Sequence, residues 1–140
     1  NLVQGSRITE EIWQRWRQVD DTVIGDLLAS GITAMNAYDL GLALDSFDQV
    51  IQKAPEFAEG WNKRATVYYL MGEYNHSVRD IRQTLLLEPR HFGAMAGFAW
   101  ILLRQRDFEM AEHVLRRALS VNPFLVDVRR QLRALMDRSG

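Results

Sequence analysis

Cysteine is absent from this 140-residue chain. Disulfides, thiolate metal sites and a cysteine nucleophile are therefore excluded, while the compartment stays open, because a cysteine-free chain suits reducing and oxidising spaces alike. Long apolar runs are missing as well. No stretch approaches the ~18 uninterrupted apolar residues that span a bilayer, so membrane insertion is not expected. Nor is there an excess of one charge: 17 basic residues meet 18 acidic ones, for a net charge of −1. Nucleic-acid binding needs a basic surface to neutralise phosphates, and no nucleic-acid partner is expected. Histidine is scarce, and no two of His76, His91 and His113 stand four apart with a carboxylate between them, so the metalloprotease pattern is missing. The glycines form no phosphate-cradling loop. Glu10–Glu11 and Asp20–Asp21 read as a helix start and a solvated linker rather than as an acid–base couple. No catalytic residue, metal ligand or cofactor is predicted, and the chain does not read as an enzyme. It begins at Asn1 rather than at methionine, as expected of a chain that has lost a leader or of a piece of a longer protein. A cytoplasmic or an exported, periplasmic location would both be compatible with it.

Proline is the most informative scarcity. The only three, Pro55, Pro89 and Pro123, are separated by 34 and 34 residues. Proline ends helices at or before the residue preceding it, so these mark three helix ends at a fixed period. Placing proline at position 32 of a 34-residue unit gives repeats 24–57, 58–91 and 92–125. Position 8 then holds Gly31, Ala65 and Ala99, and position 20 holds Ala43, Ser77 and Ala111. Small residues at both places let two helices of a pair cross closely. Position 24 carries a large apolar residue each time (Phe47, Ile81, Leu115), and polar Asp39, Glu73 and Asp107 precede the second helix.

This pattern resembles the tetratricopeptide repeat family over residues 24–125, with the middle unit nearest: Trp61, Ala65, Tyr68, Ser77 and Pro89 occupy its characteristic places. Position 7, commonly leucine in the family, departs as Ser30, Arg64 and Phe98, and position 4 as Leu27 and Met95. The resemblance implies an all-α solenoid of antiparallel helix pairs, a right-handed superhelix of about eight helices. Residues 1–22 are read as an N-terminal arm and capping helix and 126–140 as a C-terminal capping helix, since terminal units must cover an apolar face. The predicted helices are 8–19, 23–37, 41–54, 58–71, 75–87, 92–105, 109–121 and 125–137. In character the chain is closest to small bacterial proteins of this family, some of them exported.

In this family the first helices of successive repeats line a concave groove. Its usual ligand positions place Leu28, Ile32 and Met35, then Asn62, Lys63, Thr66 and Tyr69, then Trp100, Leu103 and Arg104 in that groove. One subclass clamps a terminal carboxylate with lysine, asparagine and arginine at fixed positions. Here those positions hold Leu28, Ile32, Lys63, Gly93 and Gly97, so that clamp is not expected. The strip suits an apolar peptide or the face of an amphipathic helix. The competing expectation is that it is covered internally, with Trp13 and Trp16 of the first helix as candidate occupants. Trp100 is the leading ligand contact, above a low floor of Gly93, Ala96 and Gly97. The expected role is a non-catalytic protein–protein interaction module, an adaptor for a partner protein or peptide. The alternatives are a self-associating assembly unit and a regulatory segment of a larger protein. Residues 1–62 are net −6 and residues 63–140 net +5, which reads either as chance surface variation or as the basis of a homo-oligomer, the acidic end of one molecule against the arginine-rich cap of another.

Overall fold

The computed structural model describes residues 21–139. Seven α-helices occupy them and no strand: α1 (Asp21–Asn36), α2 (Leu40–Lys53), α3 (Ala58–Leu70), α4 (Tyr74–Leu87), α5 (Phe92–Arg104), α6 (Phe108–Val121) and α7 (Val126–Ser139). Every end falls within two residues of the periodicity-based prediction. The eighth predicted helix, 8–19, lies outside the described residues, and so do Trp13 and Trp16. Two compact units divide the chain, one ending at Glu88 and containing α1–α4, the other starting at Pro89 and containing α5–α7.

The first unit is two helix hairpins, α1–α2 and α3–α4, joined by packing of α2 on α3. Each hairpin turn is made the same way. One residue takes a left-handed conformation: Tyr38 at φ 59° and Gly72 at φ 79°. The next amide then reaches back across the helix end, Asp39 N–H to the Ala34 carbonyl and Glu73 N–H to that of Tyr68, both at 2.8 Å. This closure satisfies carbonyls that a helix end otherwise leaves unpaired. The following helix is started by Asp39, whose carboxylate accepts from the Leu42 N–H. Glu73 occupies the same place before α4 without a side-chain cap bond.

Packing explains the small residues. Gly31, Ala43 and Ala65 are buried, and Phe47 has no exposed surface. A Cβ on Gly31 would sit 2.5 Å from Cε1 of the Phe47 ring, closer than two carbons can approach. The larger ring from α2 therefore requires glycine on α1. In the second hairpin the pair is Ala65 with Ile81, a larger floor under a smaller knob, and both are buried. Volume is conserved across the crossing rather than at either position. Ala34, Ala43, Phe47 and Val67 form one core cluster, and Ile24, Val50, Ala54 and Phe57 another.

The second hairpin carries unusual polarity. Ser77 Oγ donates to the Ala65 carbonyl at 2.7 Å, and Thr84 Oγ1 to the Asp80 carbonyl at 2.8 Å, both fully inside. Asp80, only 2% exposed, is met by Arg64. Arg64 Nε and Nη2 donate to the two Asp80 oxygens at 2.8 and 2.9 Å, and Nη1 donates to Asp48 on α2 at 3.0 Å. The guanidinium also lies 5.1 Å from the Trp61 ring centre and 5.7 Å from that of Tyr68. The hydrogen bond to Asp80 is the main reason that its proton is held more tightly than in free arginine, against the opposing effect of burial.

The second unit repeats the design. α5 and α6 form a hairpin around Arg106 at φ 62°, with the Asp107 N–H bonded to the Leu102 carbonyl at 2.9 Å. Asp107 caps α6 through Met110 N–H. Ala99, Ala111 and Leu115 are buried without exposure, and α7 packs on α6 with Val128 and Leu135 turned inward. Here positions 7 and 23 hold Phe98 and buried Val114, an apolar solution to the place that Arg64 and Asp80 fill in the first unit.

Candidate peptide-binding face

The residues expected to meet a ligand sit on α1, α3 and α5, and the structure treats the three helices differently. On α1, Leu28, Ile32 and Met35 are half-buried. Leu28 packs against both core clusters of the first unit, and Ile32 and Met35 pack against the Ala34–Phe47 cluster. A large share of their apolar area is thus spent inside. The expected internal occupants, Trp13 and Trp16, lie outside the described residues; what these three side chains pack on is the core of the first unit.

On α3 the polar edge is tied to itself. Asn62 Nδ2 donates to Glu59 at 3.4 Å, the Lys63 ammonium lies 3.9 Å from the same carboxylate, and Thr66 Oγ1 donates to the Asn62 carbonyl. These are surface contacts worth a few tenths of a kcal/mol to ~1 kcal/mol, so a ligand can replace them at little loss. Tyr69 is half-buried, with its ring 5.6 Å from that of Tyr74 across the hairpin turn. The neighbouring Tyr68 has its ring centre 5.0 Å from that of His76, the two planes tilted by 35°.

On α5 the arrangement is open. Trp100 is 52% exposed, although it lies in the middle of a helix whose neighbours Ala99 and Ile101 are buried. Leu103 is half-buried and Arg104 is exposed one turn further on. The small residues Gly93, Ala96 and Gly97 lie before it on the same helix. Gly93 has a structural reason of its own. The imidazole of His91 folds over it to accept the Ala94 N–H at Nδ1, 3.0 Å away, and a Cβ on residue 93 would come within 3.1 Å of that ring. His91 is therefore the N-cap of α5, a role that its isolated place at a repeat junction did not disclose.

Among the described residues no three histidine or acidic side chains gather closely enough to hold a metal ion, and no helix is long and apolar enough to cross a membrane. What the three helices present is a set of first-helix surfaces on 34-residue hairpins with small residues at each crossing and a left-handed residue in each turn. This is the fold of tetratricopeptide repeats.

Comparison with known proteins agrees. Over 120 residues the chain is 35% identical to a TPR repeat-containing protein of Rhizobium etli, a match that takes in 86% of this chain and 59% of the relative. The chain thus spans little more than half the length of that curated relative. Among solved structures it superposes on the first TPR domain of Spaghetti, a structure bound to an HSP90 peptide, with a TM-score of 0.79, 17% identity, and coverage of 86% of this chain and 98% of that one. The Arabidopsis OM64 TPR domain gives a TM-score of 0.78 at 14% identity, covering 84% and 97%. These likenesses speak for the fold. No protein-family profile matches the chain.

Sequence reasoning missed the Arg64–Asp80–Asp48 network. Arg64 stood out only as a departure at position 7, and the signal available was a second departure, acidic Asp80 at a position that holds Ser46 and Val114 in the other TPR units.

Proposed function

We propose that this TPR protein is a non-catalytic interaction module that binds a peptide or helix of a partner protein through its first-helix surfaces, with Trp100 on α5 as the principal anchor. The observation that carries this reading is the half-exposed indole in the middle of α5. An aromatic ring left in water on a rigid helix, next to small residues and a half-buried leucine, is the kind of anchor on which binding energy concentrates. In the first unit, Tyr69 and the loosely paired Asn62, Lys63 and Thr66 on α3 offer a first-helix surface of their own, while the α1 residues contribute less because the core already uses them. The peptide-bound structure of the Spaghetti domain supports a peptide as the class of ligand. The carboxylate-clamp positions are not carried over: Leu28, Ile32, Gly93 and Gly97 offer no charge or amide there.

The test is a selection of 12-residue peptides displayed on phage, followed by titration of the selected peptides against wild type and Trp100→Ala. Loss of about tenfold or more in affinity is expected. Peptides that bind both proteins equally, across several independent sequences, would remove Trp100 and the first-helix face from the function. Acrylamide quenching, compared between wild type and Trp100→Phe, should show that the lost emission belongs to an accessible indole.

A further inference from the structure

Several charged side chains of the second unit are engaged. Arg116 pairs with Glu112 at 3.2 Å, and its Nη2 lies 3.4 Å from Met136 Sδ. Arg138 lies 4.3 Å above the Phe108 ring. Arg129, Arg130 and Arg133 on α7 are different. All three are exposed, and together with Val126 they line a cleft of about 220 Å³. No carboxylate of the described residues pairs with them, although Asp137 stands four residues beyond Arg133 on the same helix. Inward-turned Val128 and Leu135 hold the opposite side of α7 against α6, so this face is fixed in place without being covered. Beside it stand two apolar side chains in water, Phe124 at 81% exposure and Val126 at 61%.

We infer that this face of α7 is a second docking surface, independent of Trp100, for a carboxylate-rich segment of a partner protein that also carries an apolar anchor. Three unneutralised guanidiniums within one and a half turns repel one another until an anion arrives. Their planar forks match carboxylates two bonds at a time, which lysine cannot do. All nine basic residues from Pro89 onward are arginine, set against five acidic ones. Phe124 and Val126 give the apolar part of such a segment a place to sit. An anionic membrane fits less well. The apolar area is two side chains, too little for stable insertion into the headgroup boundary. A cleft of this size takes one or two carboxylate side chains rather than a flat surface.

The experiment uses a fluorescein-labelled Leu-Glu-Glu-Leu-Glu-Glu peptide and anisotropy at 50 mM salt. Saturable binding is expected, weakened at least tenfold in Arg129→Gln/Arg130→Gln/Arg133→Gln and weakened again by 200 mM salt. Trp100→Ala should bind this peptide as wild type does, which separates the inference from the first-helix site. A control, Arg79→Gln/Arg82→Gln/Arg117→Gln, removes the same charge elsewhere, and circular dichroism checks that both triple variants fold. Equal loss in the control would reduce the effect to net charge and overturn the proposal, as would unchanged binding in the α7 variant. Binding to vesicles with 30% phosphatidylserine but not to the peptide would assign the face to a lipid surface instead. A concentration-dependent mass that the α7 variant abolishes would place a second copy of this chain there. Either result overturns the proposed partner.

Discussion

Arg64→Leu is the substitution whose consequence follows most directly from the structure. It leaves the Asp80 carboxylate, 2% exposed and accepting two guanidinium bonds, with neither charge nor donor in front of it. Removing one partner of a buried pair typically costs about 3–5 kcal/mol. Proton uptake sets a ceiling, because neutralising a carboxyl of ordinary acidity takes about 4 kcal/mol at pH 7 and about 1.5 kcal/mol at pH 5. Losing the guanidinium stacked near Trp61 and Tyr68 adds about 1 kcal/mol that does not vary with pH. The Asp48 contact adds little, since that side chain is 40% exposed. The variant should therefore be about 4 kcal/mol less stable than wild type at pH 7 and about 2 kcal/mol less stable at pH 5. The sign follows from the carboxylate: its unpaired charge is the destabilising species, so lowering the pH removes the penalty. Adding Asp80→Val, the residue type that repeat three carries as Val114, should return the protein to within about 1.5 kcal/mol of wild type at both pH values. Urea unfolding of the three proteins at pH 7 and pH 5 measures all of this. A single variant within 1 kcal/mol of wild type at pH 7 would refute the reasoning, and so would a double variant no more stable than the single one.

Gly31→Ala should lose about 1–3 kcal/mol despite alanine's better helix propensity, because the new methyl meets the immobile Phe47 ring; Gly31→Ala with Phe47→Leu should regain most of it in a urea melt. Tyr38→Gly should gain about 0.5–1 kcal/mol, since a 70%-exposed tyrosine at φ 59° contributes strain and little packing; a fall in the thermal midpoint would show that the ring matters. His91→Ala should lose about 0.5–2 kcal/mol through the uncapped α5, whereas His91→Asn should retain most of the stability; hydrogen exchange at Ala94 is the local readout.

How much of this was legible beforehand depended on how local the cause was. The prolines at 34-residue spacing and the small residues at positions 8 and 20 are local features of one chain direction. They gave helix number and ends within two residues across the described part. Trp100 was legible for the same reason, as an indole on the outward side of a buried helix stripe. Leu28, Ile32 and Met35 look equally available in sequence, and the structure places them half-buried against Phe47 and its neighbours. Apolar spacing tells which side of a helix is apolar, and it does not tell how wide the neighbouring helix is.

The sequence by itself thus determined the repeating helical hairpin, its period and the chemistry of each first-helix surface, because turn-forming residues and side-chain size act within a few residues of chain. Only the tertiary structure decided which departures compensate one another. Arg64 and Asp80 stand 16 residues apart, as do Gly31 and Phe47, and each pair is strained or costly when one member is considered alone. Likewise Arg129, Arg130 and Arg133 are ordinary helix-surface arginines until packing of α7 on α6 turns them outward, with no ion pair among the described residues. Charge pairing and close packing depend on distances across elements, and those distances exist only once the helices have met.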